Sequence, residues 1–261
     1  MALNDSVQGA VNKKVELLTK DFGRFAVRGT LAGVYLTLAT GFAGVAGQAV
    51  EAHAKGMGSL VFAFTFGIGL FAIVILNSEL ATGNMMFGSY GATTGQIGWG
   101  KALWLVVITT LLNLVGCVLV ALLLSQSAKF ATMDNTHFIS VLTEAKLHKS
   151  AWGAFIEGIG ANFVVNMALV GAMFAQEFIS KFVTVISILA VFVGLGLEHV
   201  IANFSLMTIA MFSSDPLPAS MSFSAVALNW VMVWLGNFVG GGLLMGATYA
   251  WLNKTKYVYK D

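Results

Sequence analysis

The sequence predicts an all-α membrane protein with six transmembrane spans, arranged as two inverted three-span repeats with spans two and five broken. Three observations predict it. Of 261 residues, 57% are hydrophobic and only 10% charged, where a soluble domain carries about 25% charged residues, and the mean hydropathy is +0.83. Six apolar stretches reach the ~20 residues that one span requires. Two of them hold the same polar pattern, Glu79-Leu80-Ala81-Thr82-Gly83-Asn84 and Glu198-His199-Val200-Ile201-Ala202-Asn203. In each, a Glu is followed five residues later by an Asn. Ionisable residues at membrane depth are costly and line polar paths, so a matched pair suggests a duplicated fold with one passage between its halves.

Residues 1–28 form a polar, basic lead-in, expected as a cytoplasmic amphipathic segment. Val7, Val11, Val15, Leu18 and Phe22 recur at helical spacing within Leu3–Phe25, a pattern shared by a helix lying on the membrane surface and one packed against the bundle. The channel domain is expected over 29–252, with a cytoplasmic tail at 253–261. The first span, Gly29–Gly47, is longer than the h-region of a signal peptide, so no signal peptide is expected. Span two, Gly58–Gly88, and span five, Phe182–Phe212, exceed one membrane thickness and contain the polar pattern. Irregular backbone at membrane depth is tolerated where it is buried in protein or faces a cavity, so both are expected to be broken. Ala102–Leu124, Ala151–Ala175 and Val226–Leu252 supply spans three, four and six.

Lys and Arg set the orientation. With the N-terminus inside, ten of them (Lys13, Lys14, Lys20, Arg24, Arg28, Lys101, Lys181, Lys254, Lys256 and Lys260) fall on the cytoplasmic side. Lys55, Lys129, Lys146 and Lys149 fall outside. The positive-inside rule then places both termini in the cytoplasm. Gly29 and Gly158 lie 129 residues apart, Glu79 and Glu198 119, and Asn113 and Asn237 124, in the same order in each half. Three spans per half makes the halves opposite in orientation. Gly-x-x-x-Gly pairs such as Gly29/Gly33 and Gly236/Gly240 read as close helix packing.

His199 is the only histidine inside an expected span. Beside Glu198 and in a helix break, it reads as functional, because its charge changes near physiological pH. Glu79 and Glu198 read as pins for the breaks, since buried carboxylates need partners; Asn84, Asn162, Asn203 and Asn237 are the candidates. Thr82 can donate and accept in the first break. Lys146 is either a cation that concentrates anions at an entrance or an ordinary loop charge. A net charge of +2 without a basic stripe excludes nucleic-acid binding. A single cysteine, Cys117, excludes an internal disulfide, and there is no CxxC pair. No cofactor or metal is expected.

These motifs resemble the formate–nitrite transporter family over nearly the whole chain. The most specific piece is Leu197-Glu198-His199-Val200-Ile201-Ala202-Asn203, similar to the family's Glu-His-Ser-Ile-Ala-Asn segment. Glu79-Leu80-Ala81-Thr82, Ile159-Gly160-Ala161-Asn162 and Gly236-Asn237-Phe238-Val239-Gly240-Gly241-Gly242 add to it. The resemblance implies a non-enzymatic, aquaporin-like fold in a homopentamer within the cell membrane, surrounded by lipid. Each subunit would have its own pore for small monocarboxylates and related weak-acid anions: formate, acetate, lactate, nitrite or hydrosulfide. It implies that His199 is the central pore histidine with Thr82 and Asn237 as neighbours and Glu198 and Asn162 close by. It also implies that Lys146 stands in the outer vestibule, and that Phe66, Leu70, Leu80, Val165 and Phe192 form apolar constrictions. The chain departs from family formate channels at Ala81, where they commonly carry Phe, which implies a wider constriction and favours lactate.

A bare carboxylate pays a large desolvation penalty in an apolar ring, and desolvation favours the neutral form of a weak acid. Lys146 and the positive ends of the broken helices are expected to attract the anion. It then takes a proton and crosses as neutral acid, which amounts to anion–proton symport. The alternative is an aquaporin-like channel for water or small neutral solutes. Neither Pro216 nor Pro218 lies in the Asn-Pro-Ala motif such channels carry. An intramembrane protease would need a motif such as His-Glu-x-x-His, which is absent.

Overall fold

The computed structural model describes residues 3–255 and 257. Lys256 and Lys260, counted among the cytoplasmic charges, lie outside these residues. The described chain is helical. The elements are α1 (Leu3–Lys20), α2 (Phe22–Glu51), α3 (Met57–Ile75), α4 (Ala81–Thr94), α5 (Trp99–Ser125), α6 (Phe138–Leu147), α7 (Ala151–Phe174), α8 (Phe178–Gly194), α9 (Val200–Ser213) and α10 (Phe223–Asn253). Five of them, α2, α3, α5, α7 and α10, are long and apolar enough to cross a membrane. The two shorter apolar helices, α8 and α9, are separated by residues 195–199, and α3 is separated from α4 by residues 76–80.

The amphipathic lead-in divides where a capping residue allows it. Asp21 ends α1 and accepts a hydrogen bond from Arg24 N, starting α2 seven residues before the expected span. Val7, Val11 and Leu18 are buried, but Phe22 belongs to α2 and is 53% exposed. The apolar stripe of α1 therefore ends one turn earlier than its spacing suggests. Val7 and Val11 pack on Met86, Phe87 and Tyr90 of α4 and Met245 of α10. Of the two arrangements its pattern allowed, α1 packs on the bundle.

The core is held by helix pairs whose backbones touch. A Cβ on Gly116 of α5 would collide with the Thr30 carbonyl of α2, and one on Gly236 of α10 with the Phe155 carbonyl of α7. Small residues permit such crossings and gain dispersion contacts between backbones. Within α10, residues Phe238–Ala247 form a π-helical segment. Its glycines let Gly241 lie against Asn162 and Gly246 against the Met86 carbonyl, so the widened turns accept α4 and α7 at backbone distance. Helix α4 is buried at every position from Ala81 to Gly91. Large apolar side chains face outward instead, among them Trp104, Leu111, Leu119 and Leu123 on α5, the distribution expected where the solvent is lipid.

Candidate functional site: two lysine-lined cavities and a small apolar chamber

Both polar patterns fold the same way. In the first, Asn77 takes a left-handed conformation (φ 53°) after α3 and Leu80 precedes α4 in extended backbone. In the second, Gly196 (φ 67°) follows α8 and extended His199 precedes α9. Each break exposes backbone groups that an asparagine from another helix satisfies. Asn113 of α5 accepts from Ala81 N at 2.9 Å and donates to the carbonyls of Gly29 (2.7 Å) and Glu79 (2.9 Å). Asn237 of α10 accepts from Val200 N at 2.8 Å and donates to the carbonyls of Gly158 (2.8 Å) and Glu198 (2.9 Å).

The glutamates are buried and paired. Glu79 accepts from Asn84 (3.1 Å) and from Lys14 of α1 (2.7 Å), whose ammonium also stands over the Phe87 ring. Glu198 accepts from Asn203 (2.6 Å), Lys146 of α6 (2.8 Å) and Lys149 (2.7 Å). Asn84 and Asn203 therefore hold the carboxylates, whereas Asn162 and Asn237 do not. Asn162 instead donates to the carbonyls of Thr82 (3.1 Å) and Asn237 (2.8 Å), tying the start of α4 to α10. The amide groups of Asn162 and Asn237 are thus engaged with the protein. Lys146 is no ordinary loop charge: it lies in the last turn of α6 with its side chain only 20% exposed.

The two half-helices meet at His199. Its Nδ1 accepts from Ala202 N (3.2 Å), capping α9, and its Nε2 lies 2.8 Å from Thr82 Oγ1 in the first turn of α4. Since Nδ1 accepts, the neutral ring carries its proton on Nε2 and donates it to Thr82. Both α4 and α9 begin here, and their dipoles give the centre a positive partial charge.

Three cavities lie in series around this contact. One, of about 210 Å³, is lined by Lys13 and Lys14 and by residues of the first break from Asn77 to Leu80. Another, of about 230 Å³, is lined by Lys146, Gly196, Phe62, Phe66 and Phe192. Between them is a chamber of about 10 Å³ bounded by Leu36, Phe66, Leu70, Leu80, Val165, Leu189, Phe192 and His199, at the lower limit for one water. Leu80 is shared with the Lys14 cavity, and Phe66 and Phe192 with the Lys146 cavity. The rings of Phe66 and Phe192 stand 6.1 Å apart. The structure thus gathers Phe66, Leu70, Leu80, Val165, Phe192 and His199 at one place. Ala81 is fully buried and lines none of these three cavities.

Sequence reasoning missed Leu36, on α2, and Leu189, on α8, neither of which lies in a motif. It also missed Lys14 and Lys149 as counter-ions. The only signal for Lys149 was its place three residues after Lys146; Lys14 carried none beyond its position on the polar face of an amphipathic segment.

Residues 3–251 match the family model described as formate/nitrite transporter. The nitrite transporter NirC of Escherichia coli (strain K12) is 31% identical over 226 residues, covering 86% of this chain and 82% of that protein. The formate channel FocA of the same strain is 30% identical over 237 residues, covering 84% and 82%. A solved structure titled "FNT family ion channel" superposes with a TM-score of 0.89 at 28% identity, covering 96% of this chain and 98% of that one. Another, titled "Pentameric formate channel with formate bound", shares the fold with a TM-score of 0.75 at 24% identity. A family match over nearly the whole length makes this integral membrane protein a member of the formate/nitrite transporter family.

Proposed function

We propose that the chain passes small monovalent weak-acid anions (formate, acetate, lactate or nitrite) across the cell membrane together with a proton. The observation that carries this reading is the series of two lysine-bearing vestibules separated by a small apolar chamber with His199 at its wall. Lysines raise the local anion concentration at a cleft. The chamber then excludes the charged form, because an unpaired carboxylate there pays a heavy desolvation penalty. Protonation on entry removes that penalty, and deprotonation in the far vestibule completes the crossing. The about 10 Å³ chamber requires Leu80 or the Phe66–Phe192 pair to swing aside as the acid passes.

In this reading, α3 with α4 and α8 with α9 each make one broken span, for six spans in two inverted repeats. The Lys14 vestibule faces the cytoplasm, as do both termini, with 1–28 and 253–261 flanking the channel domain. The subunits form a homopentamer, each with its own pore; the pentameric formate channel that shares the fold and the outward apolar faces support this. Ala81 does not line the chamber itself; lactate is favoured because the Ala81 methyl, next to the lining residue Leu80, leaves that residue more room to swing aside than the ring that family formate channels commonly carry. Uptake by proteoliposomes of formate, lactate and glycerol, with internal pH followed, tests the reading. Acid uptake with internal acidification supports it; glycerol permeation without acid uptake would favour a neutral-solute channel.

A further inference from the structure

Beside the Lys146 vestibule stands a second cation, Lys149, whose place differs from that of the first. Lys146 lines the cavity and has one carboxylate partner, Glu198. Lys149 does not line it; its ammonium donates to Glu198 Oε1 at 2.7 Å, to the Gly196 carbonyl at 2.8 Å, and to Glu157. Both lysines thus share one oxygen of a carboxylate with no exposed surface, while Asn203 takes the other oxygen. Burial works against the charge on Lys149, but Glu198 and Glu157 outweigh it and hold its pKa above the usual lysine value. Lys149 therefore stays protonated where it is.

Lys146 already lines the cavity, and for it to give its ammonium fully to an incoming anion its bond to Glu198 would loosen. With one counter-ion, that loosening would leave a buried carboxylate without a cation, a strongly unfavourable state. With Lys149 in place, Glu198 keeps an ammonium and an amide throughout. We infer that Lys149 is a positioning residue that holds Glu198 in the second break and thereby frees Lys146 to bind the arriving anion. Glu157 sets the strength of this hold, because it competes with Glu198 for Lys149. The inference rests on the proposed reading of this vestibule as an anion entrance.

The test is initial-rate formate uptake in proteoliposomes, over a range of concentrations from the Lys146 side. Lys149→Met should raise the half-saturation concentration by about threefold or more, with a much smaller change in maximal rate, since local anion concentration is what is lost. Lys149→Arg should restore it. Glu157→Gln should lower the half-saturation concentration, and should lose this effect in the Lys149→Met background if it acts through Lys149. A Lys149→Met channel that loses maximal rate at unchanged half-saturation overturns the inference. So does a Glu157→Gln effect that persists without Lys149, and this remains decidable by a raised half-saturation in Glu157→Gln alone should Lys149→Met not assemble. Lys146→Ala separates the two levels. If it leaves half-saturation unchanged, the entrance reading itself fails; if it raises it while Lys149→Met does not, only the role of Lys149 fails.

Discussion

Asn113 and Asn237 make equivalent sets of three hydrogen bonds in opposite halves of the chain. Each accepts from the first N–H of a half-helix and donates to the carbonyl of the neighbouring Glu and to a glycine carbonyl on a long helix. The backbone groups left unpaired between α3 and α4 and between α8 and α9 are thus satisfied by one fully buried side chain each.

Asn113→Ala should therefore destabilise the protein by about 3 kcal/mol or more, because three buried backbone groups lose their partner at once. Asn237→Ala should match it within about 1 kcal/mol, since the same kinds of group are left unpaired. Thermal unfolding in detergent measures both. A variant that unfolds at the wild-type temperature would remove the clamp from the account.

Lys14→Met should destabilise on the order of 3 kcal/mol, as it leaves Glu79 buried without a cation. Adding Glu79→Gln should recover most of this loss. A double-mutant cycle on unfolding temperature reads the coupling directly; additive effects would mean that Lys14 and Glu79 do not depend on each other.

His199→Asn keeps a side chain able to cap α9, and so should fold with a cost below about 1 kcal/mol. Its formate uptake should fall, because the contact from Nε2 to Thr82 that joins α4 to α9 is lost. Initial-rate uptake checks this, and a wild-type rate would make His199 a cap alone.

Ala81→Phe should suppress lactate uptake more than formate uptake. The new ring starts from a fully buried position beside Leu80, and it has to enter the chamber or displace its lining. Competition between the two anions in one assay gives the ratio. Equal losses, or a wild type that excludes lactate, would contradict the size argument.

Much of this site is legible in the sequence because buried ionisable groups are conspicuous among apolar residues. Glu79, Glu198 and His199 stand out for that reason, and the five-residue spacing puts Asn84 and Asn203 in the first turn of the helix that follows each glutamate, where they reach back to it. The limits of α1, the helical form of Phe138–Leu147 and the π-helical turns of α10 were not legible. The first depends on a cap at Asp21, the second on a short helix in a connection, and the third on glycines meeting α4 and α7. Lys14 and Lys149 were hidden for a related reason. Their partners lie 65 and 49 residues away, and only tertiary packing joins them.

The central claim is that a proton accompanies each anion through the chamber. Its most direct measurement is internal acidification of proteoliposomes during uptake of radiolabelled formate, with an ionophore clamping the membrane potential. The account predicts one proton entering per formate and no dependence of the rate on the clamped potential. Formate entry as net negative current, without acidification and steepened by an inside-positive potential, would contradict it.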